Sequence, residues 1–129
     1  MSRSQSPSPS SPPAPYFAHD QLDAYRVARE ALAQGDPIAR DLPRGYSTLA
    51  DQLRRALLSA FLNIAEAASR YGADRMARFR VARGEVSEAA AALDAVQVLG
   101  LIPAERVQPV VVLLGRLYAM LTRLAKVGR

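Results

Sequence analysis

The chain has 129 residues, of which 50% are hydrophobic and 6% aromatic, and its formal net charge is +5 at pH 7. This length fits one domain with a tail, and the scarcity of aromatic residues favours helices over strands. Cysteine is absent, which excludes disulfides, thiolate metal sites and a cysteine nucleophile, and no stretch approaches the ~18 uninterrupted apolar residues of a membrane span.

The chain begins with a segment rich in serine and proline. Six serines and five prolines occur in residues 1–15, a composition that cannot bury enough apolar surface to fold. We therefore predict a disordered tail over residues 1–15 and a helical domain over residues 16–129. The tail lacks the apolar segment of a secretory signal, so we expect a cytoplasmic protein without a membrane partner.

The first predicted helix covers residues 16–34. Its apolar residues recur three or four positions apart, which is the spacing of one helix face. They are Leu22, Tyr25, Ala28 or Arg29, and Leu32. Gly35 followed by Pro37 predicts the end of this helix, because glycine commonly terminates helices and proline cannot continue them.

The second predicted helix covers residues 47–71, with Gly72 as its C-terminal cap. Thr48 and Asp51 resemble a capping box at its start. An apolar stripe follows the helical period along its length. Its members are Leu49, Leu53, Ala56, Leu57, Ala60, Ile64 and Ala67 or Ala68.

The third predicted helix opens at Asp74 as its N-cap and ends at Gly100. Gly84 lies inside it, which predicts that another backbone approaches closely there. The predicted buried stripe consists of Met76, Phe79, Ala82, Val86, Ala89 or Ala90, Leu93 and Val96.

The fourth predicted helix has Pro103 in its first turn and a sustained heptad seam. The seam consists of Val107, Val110, Leu114, Leu117, Leu121 and Leu124. Pro109 either kinks the first turns or moves the start of the regular helix towards Gln108. Four amphipathic helices with short connections predict an all-α, antiparallel up-and-down four-helix bundle.

A polar stripe occupies the second helix opposite its core face. Its members, spaced three or four residues apart, are Gln52, Arg55, Ser59, Asn63, Glu66 and Arg70. Such a stripe is most often a solvated surface. Ser59 and Asn63 are poor helix formers, however, and they favour a polar network with other helices, within one protomer or between protomers.

Arginines gather around the junction of the second and third helices. The candidate nucleic-acid-binding residues are Arg54, Arg55, Arg70, Arg75, Arg78, Arg80 and Arg83. Guanidinium groups bind phosphates without reading sequence, and Tyr71 is a nearby aromatic residue for base stacking. Charge reversal at Arg75 and Arg78 should abolish such binding, whereas a protein-interaction scaffold should tolerate it.

Residues for enzyme chemistry are scarce. His19 is the single histidine, so the paired Glu-x-x-His motifs of di-iron bundles are missing, and no Gly-rich phosphate loop occurs. Glu66, Glu85 and Glu88 either meet between the second and third helices or pair with neighbouring arginines. We expect a non-enzymatic protein without a metal or cofactor.

Several runs resemble a known family, the four helix bundle proteins encoded within intervening sequences of large-subunit ribosomal RNA genes. The resemblance lies in residues 52–56, Ser59, residues 63–66 and Arg70, then in Phe79, Ala82, Gly84 and Glu88, and in residues 100–102. It covers roughly residues 17–126. Ala67 stands where the family usually has glycine, Glu85 where it has serine, and Tyr25 near its helix-one tryptophan.

This resemblance implies a ring-shaped homo-oligomer, typically a pentamer. A related protein, the accessory protein of diversity-generating retroelements, is a basic pentamer that binds nucleic acid and a reverse transcriptase. We therefore expect an RNA- or DNA-binding accessory module, or alternatively a protein-interaction scaffold. Gln52, Ser59, Asn63, Glu66 and Glu88 are the candidate residues of the polar network or oligomer interface.

Overall fold

Four helices follow one another along the chain. The computed structural model describes the backbone of residues 15–126 and the side chains of residues 20–126. The helices are α1 (Pro15–Arg40), α2 (Ser47–Ala67), α3 (Gly72–Val98) and α4 (Ala104–Lys126), and the described residues contain no strand. The predicted all-α fold is confirmed. Of the predicted tail, residues 1–14 lie outside the described residues, and Pro15 begins α1.

Each helix packs against two others, as in a four-helix bundle. α1 and α3 both pack against α2 and α4, whereas within residues 15–126 α1 does not pack against α3, nor α2 against α4. Arg106 at the start of α4 pairs with Asp41 after α1 at 2.8 Å. Arg83 of α3 lies 3.4 Å from Thr122 near the end of α4. The first half of α3 therefore lies beside the last turns of α4.

The predicted stripes of α2, α3 and α4 form the core and are confirmed. Leu53, Phe79 and Leu121 are each 0% exposed. In α2 only Leu49, at the start of the stripe, remains half-buried. The core of residues 20–126 contains no buried polar or charged side chain, so its stability rests on apolar burial and close packing.

The predicted buried face of α1 is confirmed only in part. Ala28 is buried at 3% exposure, Tyr25 and Leu32 are half-buried against the core, and Leu22 is exposed. Most of the residues that face the core are smaller than those predicted: Ala24, Val27, Ala28, Ala31, Ile38 and Ala39. A face of alanines lets two helices approach closely, while the larger side chains flank the contact. Tyr25 there packs beside Phe61 of α2, with the ring centroids 5.0 Å apart.

The predicted end of the first helix at Gly35 is also wrong. α1 continues through Pro37 to Arg40, although a proline inside a helix costs about 3 kcal/mol. The extra turn buries Ile38 and Ala39 to 1% and 2% exposure. Burial of an isoleucine stabilises by about 1.5–3 kcal/mol, which offsets most of that cost.

The junction of α2 and α3 is tighter than predicted. α2 ends at Ala67 instead of residue 71, because hydrogen bonds between residues three apart tighten the chain after Ala67. Gly72 (φ +54°) is the first residue of α3, not the cap of α2. The predicted side-chain caps are wrong. Thr48 and Asp74 lie inside α2 and α3, whose N-cap residues are Tyr46 and Tyr71, and neither tyrosine makes a side-chain cap hydrogen bond.

α3 ends and α4 begins much as the sequence predicts. Gly100 adopts φ +66°, and the Leu101 amide donates to the Val96 carbonyl at 3.0 Å, which closes the end of α3. α4 begins at Ala104 and runs through Pro109, so a start near Gln108 is wrong.

α4 is the one helix of the described residues that is long and apolar enough to cross a membrane. A core helix passes the same test of length and composition. The apolar seam of α4, including Leu114 and Leu117, is packed inside the bundle, and this packing accounts for its hydropathy.

Two glycines inside helices do not have the roles that the sequence predicts. A Cβ atom added at Gly84 meets nothing within 4 Å, so no other helix of the described residues approaches it closely. A Cβ atom added at Gly35 lies 2.5 Å from Leu57 Cδ1 and 3.5 Å from Val110 Cγ1. Gly35 is therefore the position at which α1 comes close to its neighbours.

We expect Gly84→Ala to raise the free energy of unfolding by about 0.5–1 kcal/mol through helix propensity alone. Gly35→Ala gains the same propensity but overpacks the core beside Leu57, at a cost of about 1–3 kcal/mol. We therefore expect it to lower stability. Chemical denaturation at one protein concentration compares the two variants, and equal stabilisation by both would contradict the close approach at Gly35.

Candidate functional site

The polar stripe of α2 and the second half of α3 line an open groove. Its volume is about 660 Å³. Its polar lining residues are Gln52, Arg55, Ser59 and Asn63 from α2, with Glu85 and Glu88 from α3. Leu58 and Leu62, which are 46% and 52% exposed, complete it. We call this the α2–α3 groove, and its mixture of apolar and polar side chains is typical of a protein-binding surface.

Asn63 connects the two helices at this groove. Its amide nitrogen donates to the Ser59 carbonyl at 2.9 Å and lies 3.2 Å from Ser59 Oγ. Its amide oxygen accepts a hydrogen bond from Arg78 Nη1 at 3.4 Å. The polar stripe thus has a partner on α3 within the protomer, and it is more than a solvated face.

Two carboxylates of α3 lie close together in the groove. Partial burial and the neighbouring Glu88 raise the pKa of Glu85, while Arg55 and Ser59 act in the opposite direction. Neither carboxylate forms an ion pair within 4.0 Å in residues 20–126. The two carboxylates therefore carry negative charge that Arg55 offsets only from beyond ion-pair distance, and a cationic side chain of a partner can pair with them.

Glu66, by contrast, belongs to a closed ion-pair cluster at the α2–α3 junction. Arg70 contacts Glu66 at 2.6 Å and Asp74 at 2.9 Å. The hydrogen bond from Arg70 lowers the pKa of Glu66, and the two carboxylates raise the pKa of Arg70. Because two carboxylates already neutralise it, Arg70 has little charge to offer a phosphate.

The remaining predicted arginines do not form one patch. Arg54 pairs with Asp36 of α1 at 2.9 Å, and Arg55 lines the α2–α3 groove. On α3, Arg75 donates to the Ala67 carbonyl at 3.1 Å and Arg78 contacts Asn63, so both face α2. Arg80 and Arg83 lie elsewhere on α3, and Arg83 faces α4.

Arg83 contacts two residues of α4, Tyr118 and Thr122, that were not predicted from the sequence as site residues. Its Cζ atom lies 5.9 Å from the centroid of the Tyr118 ring, and Nη1 lies 3.4 Å from Thr122 Oγ1. Arg123 and Lys126 are exposed in the last turns of the same helix. We use the name basic face for Arg83, Tyr118 and Thr122 together with the exposed basic residues of the same two helices, Arg80, Arg123 and Lys126.

Basic residues in the last turn of α4 were visible in the sequence, but their neighbours were not. Arg83 and Thr122 are 39 positions apart, and only the pairing of α3 with α4 brings them together. The aromatic residue expected nearby, Tyr71, is 82% exposed, with Arg75 Cζ 5.7 Å from its ring centroid. Tyr118 is a second exposed aromatic residue, at 44%.

The charges of α3 are divided along its length. Its first half carries Asp74 and four arginines (Arg75, Arg78, Arg80 and Arg83), whereas its second half carries Glu85, Glu88 and Asp94. The helix macrodipole favours acidic residues at the first turn and basic residues at the last. Arg75 and Asp94 are placed the other way round, so the helix dipole does not account for this division.

The described residues contain no group of three or more histidine, cysteine, aspartate or glutamate side chains arranged to hold a metal ion. The side chain of His19 lies outside the described residues. A second groove of about 430 Å³ lies where α1 meets the end of α2, lined mainly by apolar residues that include Leu22, Tyr25 and Ile64.

A family of proteins described as 23S rRNA-intervening sequence proteins matches residues 20–123. This range includes most of α1, all of α2 and α3, and nearly all of α4. The chain belongs to this family. The resemblance seen in the sequence is thereby confirmed, and the family description points to an RNA-related role. No curated protein matches the chain.

We expect Glu85→Gln to raise the free energy of unfolding at neutral pH. Because the pKa of Glu85 is raised above the ordinary 4.5, the folded state binds more protons than the unfolded chain just above that pH. The contribution of Glu85 to the free energy of unfolding therefore falls as the pH rises from 4.5 through the raised pKa of the folded state.

The increase in the free energy of unfolding that Glu85→Gln causes should vanish below pH 4.5, which is the ordinary pKa of the glutamate side chain. Asp94→Asn removes the same charge from an exposed position further along α3 and serves as the control. Denaturation curves across pH provide the measurement. An identical pH dependence for the two variants would contradict the role of the groove.

Proposed function

We propose that this chain is a non-enzymatic accessory module that binds nucleic acid, RNA in particular, through the basic face. The observation that carries the proposal is the contact of Arg83 on α3 with Tyr118 and Thr122 on α4, two helices that also carry the exposed basic residues Arg80, Arg123 and Lys126. Membership of the 23S rRNA-intervening sequence family supports an RNA-related role. No metal, cofactor or membrane takes part in this function, and we place the protein in the cytoplasm.

The proposed binding is mainly electrostatic. Arginine and lysine neutralise phosphates and release counterions, so affinity falls steeply as salt rises and depends little on base sequence. Arg80 and Arg123 are exposed and take no part in the ion pairs of residues 20–126. They are better suited to phosphates than Arg54 or Arg70, which carboxylates already neutralise.

The proposal includes an antiparallel up-and-down path of the helices and assembly of the protomers into a ring, with the pentamer as the expected form. The α2–α3 groove is the proposed interface. Leu58 and Leu62 beside it and Val81 on α3 are exposed apolar residues. Repetition of a modest basic face around a ring strengthens binding through avidity.

A second candidate function is a protein-interaction scaffold without nucleic-acid binding. The exposed Leu58 and Leu62 in the α2–α3 groove favour it, since apolar residues rimmed by polar ones mark protein interfaces. A basic protein partner suits the carboxylates of Glu85 and Glu88. A reverse transcriptase is the partner that the related retroelement accessory protein suggests.

Size-exclusion chromatography with light scattering tests assembly. We expect a particle of about five protomers, and an increased ratio of absorbance at 260 to 280 nm in low salt that falls in high salt. A monomer at micromolar concentration would contradict the ring. A clean oligomer that takes up no added RNA in low salt would favour the scaffold.

Charge reversal tests the basic face. We expect Arg80→Glu combined with Arg123→Glu to weaken RNA binding strongly, and to reduce the slope of log affinity against log salt by about one unit per arginine. Arg75 and Arg78 make a poorer test, since both also contact α2. Anisotropy titrations across salt concentrations supply the affinities.

Arg44→Glu is the control for this test. Arg44 is exposed in the connection between α1 and α2, remote from the basic face. We expect this substitution to weaken binding far less than Arg80→Glu alone, which changes the net charge by the same amount. Equal losses would mean that binding follows net charge alone, and retained binding in the double variant would contradict the proposed face.

A further inference from the structure

Two tyrosine–arginine pairs lie on the arginine-rich half of the bundle. Tyr71 stands at the start of α3 with 82% of its surface exposed, and Arg75 Cζ lies 5.7 Å from its ring centroid. Tyr118 on α4 is 44% exposed, and Arg83 Cζ lies 5.9 Å from its ring centroid. Both distances are within the range of a cation–π contact.

Each arginine in these pairs contacts a second group besides its tyrosine ring. Arg75 donates to the Ala67 carbonyl at 3.1 Å, which anchors it to the end of α2. Arg83 lies 3.4 Å from Thr122 Oγ1, and the Thr122 hydroxyl donates to the Tyr118 carbonyl at 2.9 Å. Each tyrosine ring therefore stands beside a guanidinium whose position is fixed by the bundle, while much of the ring remains open to solvent.

The surroundings of Tyr118 leave room for a flat ligand. Gly115 precedes it by nearly one helical turn and is exposed, and a Cβ atom added there meets nothing within 4 Å. Ala119 beside it is also exposed. Arg83 on α3 supplies a cation beside the Tyr118 ring. An aromatic ring beside a cationic group is the arrangement that binds single-stranded nucleic acids.

Tyr71 and Arg83 are twelve positions apart on α3, which at 1.5 Å per residue is an axial separation of about 18 Å. Arg75 faces α2, whereas Arg83 faces α4, so the two tyrosine–arginine pairs lie towards different sides of α3. Each pair is therefore a separate candidate platform.

We propose that Tyr71 and Tyr118, each backed by its arginine, are stacking platforms for unpaired bases, and that the ligand of the basic face is single-stranded nucleic acid. This inference rests on the proposed function and narrows its ligand class. In a duplex the bases stack on one another and are not available to a protein ring. A duplex therefore gains only the phosphate contacts of this surface.

The test compares tyrosine variants on single strands and on a duplex of equal length. Tyr71→Leu and Tyr118→Leu remove the ring but keep an apolar side chain, and Tyr71→Phe and Tyr118→Phe keep the ring as matched controls. Affinities are measured by fluorescence anisotropy with RNA and DNA strands of one mixed sequence.

We expect each leucine variant to lose about five- to a hundredfold in affinity for single strands, the range of base stacking on aromatic residues. Affinity for the duplex and the salt slope should not change, because no phosphate contact is removed. The phenylalanine variants should bind as the original protein does. Equal losses on RNA and DNA indicate stacking alone, and a greater affinity for RNA identifies a further contact to the 2′-hydroxyl.

The outcomes separate this inference from the proposed function. Single-strand binding that depends on Arg80 and Arg123 but survives both leucine substitutions would overturn the stacking platforms and leave the basic face in place. Equal losses on single strands and duplex would also overturn them. Failure of the original protein to bind any of the oligonucleotides in low salt would overturn both proposals. Far-ultraviolet circular dichroism and light scattering check that fold and assembly are unchanged.

Discussion

Segregation of charge from the core is the constraint on which the rest of this molecule depends. The packed interior of residues 20–126 contains no buried polar or charged side chain. Burying an unpaired charge is very costly, so the arginines are confined to the outer surfaces of the bundle. Which charges meet is then decided by which helices are neighbours. Arg54 reaches Asp36 across α1 and α2, while Arg83 reaches Tyr118 across α3 and α4.

The fold was predictable where apolar residues are large and regularly spaced. Leu53 of α2, Phe79 of α3 and Leu121 of α4 all lie where the helical period predicts. The buried face of α1 was harder to predict, because it consists mainly of alanines and the larger residues of the helix flank the contact. Gly35 and Pro37 look like terminators in the sequence. Close contact with Leu57 and burial of Ile38 override that local signal.

The candidate site was predictable only within single helices. The pairing of Glu66 with Arg70 follows from their spacing of four positions, and the structure contains it at 2.6 Å. The basic face joins positions 39 residues apart, and no spacing rule for one helix connects Arg83 with Tyr118 or Thr122. The arginine cluster seen in the sequence is consequently split between a face towards α2 and a face towards α4.

α3 contributes to two surfaces of opposite character, and this limits how copies of the chain can assemble while binding a ligand. The α2–α3 groove offers Glu85, Glu88 and exposed leucines, whereas the basic face offers cations and Tyr118. A ring closed through the groove leaves the basic face of every protomer open to a strand. A ring closed through α4 buries that face and repels like charges across the contact. The proposed assembly and the proposed nucleic-acid binding are therefore compatible when the groove is the interface, with its carboxylates meeting a cationic side chain of the neighbouring protomer.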